Sequence, residues 1–125
     1  MRTVNEVILL WWVANKPLLK ETQNSQKLTV FNLATKRVWT TKDWEKKEES
    51  QFHKVVCWWR LWEKAVNILN VWDLIYIRWY LHNRKVDIEW EEKTRVITEI
   101  VVNDLLIVKR KNTDNYEEEQ KEVEE

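Results

Sequence analysis

Residues 50–70 read SQFHKVVCWWRLWEKAVNILN, and a change of period inside this stretch decides the fold. From Ser50 to Trp59 the residues are strand formers. Phe52, Lys54 and Trp58 are evenly spaced there, which puts them on one face of a strand. From Leu61 onward the apolar residues Leu61, Ala65, Ile68 and Leu69 fall at i, i+4, i+7 and i+8, one stripe of a short helix. A lysine is out of place on a core face. The face shared by Phe52, Lys54 and Trp58 therefore reads as a solvated groove.

On either side of this junction the signal is of strands. Residues 4–13, VNEVILLWWV, read as a buried strand. Residues 15–26, with Pro17 and a polar run, read as a loop. Residues 27–39 read as a second strand, with Leu28, Val30 and Asn32 on one face and Phe31 and Leu33 on the other. A charged turn is expected over 41–48. Residues 73–86 and 94–108 give the fourth and fifth strands. Beyond Lys109 the chain turns polar and acidic, and disorder is expected. The order β-β-β-α-β-β predicts an all-β fold, a five-stranded Greek-key barrel of the oligonucleotide/oligosaccharide-binding (OB-fold) type. Its one short helix lies between strands three and four. The expected domain is 1–110, with an acidic tail at 111–125.

Ten tryptophans and no glycine in 125 residues is the oddest feature of the composition, since average usage would give about nine glycines. Several tryptophans stand where the backbone asks for glycine. Trp44 lies in Lys42-Asp43-Trp44-Glu45, a charged turn between strands. Trp72 follows the helix at the position where a left-handed residue ends it. Trp90 sits in another charged turn. Trp11, Trp59 and Trp79 lie within strands, and three indoles in a small barrel would overpack it. One hypothesis explains both oddities: the gene uses UGA for glycine, and tryptophan has been written in its place. The alternative is a chain that is truly Trp-rich.

The length suits one domain. No apolar run of 18 residues is present, so no transmembrane helix is expected. No leader pattern opens the chain, and a single Cys57 permits no intrachain disulfide, which fits a reducing cytoplasm. Cys57 and the two histidines are far apart and make neither a metal site nor a Cys–His pair. No catalytic constellation, phosphate loop or cofactor is expected. The net charge of zero hides an asymmetry. Residues 112–125 carry a net −6, leaving +6 on the other 111. A basic body with an acidic arm points to a polyanion-binding domain; an ordinary mixed surface remains the alternative.

Five pieces of sequence, in order, resemble bacterial single-stranded DNA-binding proteins. They are Met1-Arg2-Thr3-Val4-Asn5-Glu6-Val7-Ile8-Leu9-Leu10, Phe31-Asn32-Leu33-Ala34-Thr35, Phe52-His53-Lys54-Val55-Val56-Cys57-Trp58-Trp59-Arg60-Leu61, Trp72-Asp73-Leu74-Ile75-Tyr76-Ile77-Arg78-Trp79 and Thr98-Glu99-Ile100-Val101-Val102. The likeness spans about residues 1–110. In the family's pattern Trp11, Trp44, Trp59, Trp72, Trp79 and Trp90 fall at glycine or at glycine-bearing turns. Trp62 falls at a small residue, Trp39 and Trp58 at aromatics, and Trp12 at a variable position.

The resemblance implies a non-enzymatic, cytoplasmic and nucleoid-associated protein. It would bind single-stranded DNA without sequence preference in replication, recombination and repair. The implied stacking platforms are Trp39, Phe52 and Trp58, and the implied phosphate contacts are Arg2, Lys42, Lys47, Lys54, Arg60, Arg84 and Lys85. Val86 replaces a further stacking Trp of the best-studied members. His82 reads as solvated or phosphate-facing. The resemblance also implies a homotetramer. The first strand is more apolar than one small barrel needs and invites pairing with its own copy. Val4, Val7 and Leu9 are the expected interface residues there. His53 either joins them or is a half-buried strand histidine with a satisfied ring. Replication and repair proteins would dock on the acidic tail, although the family's terminal Pro-Phe pair is absent from Lys121-Glu122-Val123-Glu124-Glu125. The other reading is a related barrel that binds RNA or partner proteins in replication restart or translation.

Overall fold

The computed structural model describes residues 2–87, 90 and 94–111. Within them the chain forms β1 (Val7–Val13), β2 (Leu18–Glu21), β3 (Lys27–Thr40), β4 (Lys46–Cys57), α1 (Trp59–Ile68), β5 (Leu74–Asp87) and β6 (Thr94–Lys109). The order across the sheet is β1-β5-β6-β4-β3-β2, and a further β1–β3 pairing closes five of these strands into a barrel. β4 and β6 run parallel; the other pairs are antiparallel. The expected five-stranded barrel with one short helix is what forms.

Strand alternation makes the core. Phe31 and Leu33 of β3, Val55 and Cys57 of β4, Ile75 and Ile77 of β5, and Ile100 and Val102 of β6 point inward and are buried. Ala65 and Leu69 cap one end of this cluster, with Leu61 packed beside them, so three residues of the helical stripe read from the sequence face the core, while Ile68 is 39% exposed. Thr29 is the polar member of the inner row. Its hydroxyl donates to the Trp62 carbonyl at 2.7 Å and fixes α1 to β3.

Four details differ from the sequence reading. β2 lies inside the region read as a loop; all four of its residues are exposed, so no hydrophobic period marks it. β4 starts at Lys46, within the expected turn, because the hairpin needs only residues 41–45 to reverse. β4 ends at Cys57, so Trp58 is the extended residue before the helix and Trp59 its first residue. None of the ten tryptophans is buried, and the overpacking expected of Trp11, Trp59 and Trp79 does not arise because their rings lie outside the core. The expected tail at 111–125 lies, apart from Lys111, outside the described residues.

Three of the tryptophans have positive φ: Trp44 (63°), Trp59 (51°) and Trp72 (73°). Trp44 donates its N–H to the Thr41 carbonyl while Thr41 donates to the Glu45 carbonyl, a three-residue hairpin loop whose last residue must be left-handed. Thr22–Gln26 makes the same hydrogen bonds with Ser25 in the left-handed position (63°). Trp79 adopts no positive φ but sits at a register shift between β5 and β6.

Asp73 is the fully buried acid that joins α1 to the barrel. Its carboxylate accepts the Asn70 N–H at 2.9 Å and the Lys111 N–H at 3.2 Å, and its carbonyl accepts the Val13 N–H. Asp73→Ala leaves two backbone donors without that partner and should cost about 2–4 kcal/mol in urea unfolding. The exposed Asp104→Ala should cost less than about 0.5 kcal/mol. Equal midpoints for the two variants would refute this role for Asp73.

Candidate nucleic-acid interface

The outward rows of β3, β4, β6 and β5 carry polar and aromatic residues on one side of the sheet, with Val56 and Val101 buried among them. Register places Asn32 opposite Lys54 and Ala34 opposite Phe52 on β3 and β4. Because Val55 pairs with Ile100 inside the barrel, Lys54 lies beside Glu99 outside it. Glu99 in turn faces His82, and Val101 faces Tyr80. Phe52, Lys54, Glu99, Tyr80, His82 and Arg84 therefore share one side of the sheet. Trp58, still extended, continues the Phe52–Lys54 row and helps line a cavity of about 340 Å³ with Trp59, Tyr80, His82, Arg84 and Glu99.

Glu99 is the centre of this face. Its side chain is only 6% exposed, and both oxygens meet cationic groups. Lys54 Nζ is 3.5 Å from Oε2; His82 Nδ1 and Arg84 Nε are 3.3 and 3.7 Å from Oε1. A carboxylate held this deep needs such partners, since an unpaired buried charge is costly. The sequence reading did not single out Glu99 or Tyr80. The signal was the alternation Glu99-Ile100-Val101-Val102, in which the glutamate falls on the face away from Ile100 and Val102.

Phe52 is 66% exposed, a large apolar ring with nothing over most of it. It borders a second hollow, with Trp11, Trp12, Lys36 and Trp72 among its walls. Trp39 does not join Phe52 and Trp58. It pairs with Lys47 in the β3–β4 hairpin, and odd spacing from Ala34 places it on the opposite face. The Arg37 guanidinium lies 4.7 Å above its ring.

The other basic residues are spread around the barrel. Lys42 is at the hairpin tip, and Lys47 lies 3.6 Å from Glu45 in a weak exposed pair. Arg60 is exposed on α1, and Lys85 projects opposite to Arg84. Arg2 is exposed in the segment before β1, which Asn5 holds against β5 through paired hydrogen bonds to Leu81. Lys16 and Lys20, not chosen from the sequence, line a third hollow with Asn32 and Lys54.

The first strand alternates in its exposure. Val7 and Leu9 turn inward and pack against the core, whereas Ile8 and Leu10, 57% and 51% exposed, point outward. Alternation from the buried Val13 sets this parity. Val4 is exposed ahead of the strand. His53 is half-buried, and its Nε2 lies 2.8 Å from the Thr35 hydroxyl. Cys57 is buried, and desolvation pushes its thiol up to about 12, so it is no nucleophile near neutral pH. Among the described residues no group of His, Cys, Asp and Glu could hold a metal, and no helix is long and apolar enough to cross a membrane.

Residues 4–108 match the model of the single-strand binding protein family. A relative named single-stranded DNA-binding protein 1, from Chlorobaculum tepidum, is 27% identical over 112 residues, covering 90% of this chain and 69% of its own length. Two solved structures share the fold. A Plasmodium falciparum SSB in complex with ssDNA superposes with a TM-score of 0.77 at 24% identity, covering 86% of this chain and 97% of that one. A deletion mutant of the single-stranded DNA binding protein from Thermus aquaticus gives 0.71 at 21% identity, covering 85% and 51%. With the barrel, the outer aromatic and basic face and a family match across nearly the whole described chain, the protein belongs to the single-strand binding protein family.

Proposed function

We propose that this protein binds single-stranded DNA without sequence preference and takes part in replication, recombination and repair. Membership of a family of non-enzymatic DNA-binding proteins supports this. The observation that carries it is one sheet face bearing Phe52, Lys54, Trp58, Tyr80, His82 and Arg84 together. Unpaired bases stack on the rings, which is sequence-tolerant because every base has a π-face, while lysine and arginine neutralise phosphates. Arg2, Lys42, Lys47, Arg60 and Lys85 extend the basic track beyond this face. Trp39 serves a strand that wraps around the hairpin to its other side. The proposed location is the cytoplasm, at the nucleoid. The acidic tail competes with DNA for the groove and offers a docking arm for replication and repair proteins.

The proposed assembly is a homotetramer built on β1. Its ladder to β3 covers only Trp12 and Val13, which leaves the opposite edge of Val7–Trp11 for a second copy. Leu10, Tyr76 and Leu106 stand in register on the outward side and extend the apolar surface. The proposed identity of the tryptophans at 11, 44, 59, 72, 79 and 90 is glycine, read from UGA. The positive φ of Trp44, Trp59 and Trp72 supports this, since a bulky residue is a steric outlier there.

Binding should be tight to oligo-dT, weak to duplex and strongly weakened by salt. Trp58→Ala should cost about 1–3 kcal/mol with the salt slope unchanged, whereas Lys54→Ala should flatten the slope by about one phosphate. Trp39→Ala should match Trp58→Ala only on oligomers long enough to round the hairpin. Equal affinity for duplex and single strand would end the proposal, and preference for RNA would favour the adaptor reading.

Light scattering should give about four times the 15.5 kDa chain mass, and Ile8→Lys with Leu10→Lys should lower it. A monomer at micromolar concentration would refute the tetramer.

Codons at the six positions should be UGA. Replacing Trp44, Trp59 and Trp72 by glycine should relieve about 1–3 kcal/mol of strain at each site and raise the melting temperature. UGG codons with unchanged melting would sink the recoding.

A further inference from the structure

We propose that Glu99 is a positioning residue for DNA binding, one that gathers the phosphate-contacting cations of the outer face before the strand arrives. The proposal rests on the single-strand-binding reading above. β6 lies between β4 and β5, so Glu99 is within reach of cations from both neighbours. Lys54 approaches one oxygen from β4, and His82 and Arg84 approach the other from β5, all within 3.7 Å. The carboxylate is nearly covered, while the side chains of Lys54, His82 and Arg84 are 27%, 48% and 48% exposed. The anchor is therefore fixed and the groups it holds remain open to solvent.

Lysine carries three N–H donors and arginine five, so each keeps donors beyond those committed to Glu99. Long side chains lose rotamer freedom when they close on a ligand, and holding them in place beforehand lowers that cost. Bulk electrostatics makes the opposite prediction. Glu99 is an anion beneath a surface meant for anions, and on charge alone its removal would tighten binding. The sign of the effect thus separates the two accounts.

The test is titration of the protein with oligo-dT, following tryptophan fluorescence, between about 50 and 200 mM salt. Glu99→Gln should bind about five- to tenfold more weakly at the upper salt, because the cations are no longer gathered. Its salt slope should steepen by about one, because the site gains a net positive charge. A merely structural role would not move that slope. In a double-mutant cycle with Lys54→Ala the effects should be non-additive. Affinity that is unchanged or tighter at both salts would overturn the proposal, as would strict additivity. If Glu99→Gln does not fold, Glu99→Asp carries the test. It keeps the charge but shortens the reach, so affinity should fall with the slope unchanged, and undiminished affinity would overturn the proposal. Failure of the unsubstituted protein to bind oligo-dT would remove the binding reading itself. Normal binding by that protein and by Glu99→Gln alike would remove only the positioning role.

Discussion

Closure of the sheet depends on β1 changing partners at Trp12. Up to that residue β1 follows β5; at Trp12 and Val13 it turns to Ala34 and Leu33 of β3. Only this switch joins the two ends of the five-stranded ring. The backbone there is held from several sides. Val13 accepts the Trp72 N–H and donates to the Asp73 carbonyl, and Ala14 donates to the Asn32 carbonyl. The tight path that brings Trp72 to Val13 also places Trp72 in the left-handed region. Strain at residue 72 is thus a consequence of barrel closure, and so is the buried carboxylate of Asp73 beside it.

A closed barrel forces a division of labour on its strands. Inward residues are consumed by the core, because five strands enclose little space. Chemistry must then lie on the outward rows or on strands that outrun the barrel. Both are present here. β3 and β4 continue as a hairpin well past the last core pair, and Phe52 emerges where that arm leaves the barrel. The outward row of β6 carries Glu99 next to the buried pair Ile100 and Val102. A nucleic acid lying across such a face meets rings and charges from four strands at once.

Much of this was legible in the sequence, where one face of an element is buried and the other is not. Phe31 and Leu33, Ile75 and Ile77, and Leu61, Ala65 and Leu69 of the helical stripe follow simple periods and mark core in the structure. β2 escaped notice because a fully exposed edge strand has no period. The inward parity of Val7 and Leu9 was not legible because the whole first strand is apolar, and parity along such a strand is fixed only by a buried neighbour such as Val13. The aromatic set was legible as residue types and only partly as geometry. Phe52 lies on β4 and Trp58 on the extended residue that follows it, so their even spacing gives their common face. Trp39 lies across a turn, and its face depends on register with Lys47, which sequence spacing does not determine. Glu99 was hidden for a similar reason: its partners Lys54, His82 and Arg84 come from other strands, 15 or more residues away in the chain.

The whole chain carries no net charge, and this bears on how it would hold a polyanion. A strongly basic protein draws DNA by a long-range field, and exact placement of each cation matters less. Here a net charge of −6 in the final 14 residues offsets a net +6 in the rest, and charges farther apart than about 8 Å are screened at physiological salt. Attraction must then come from cations close to each phosphate, in side chains that each carry about 2 kcal/mol of rotamer entropy. Leaving Lys54 and Arg84 mobile would cost much of the gain from each contact. Anchoring both on one buried carboxylate gives up one unit of charge and recovers order in at least two side chains. In a protein without excess positive charge, that exchange favours a fixed acid at the centre of the binding face.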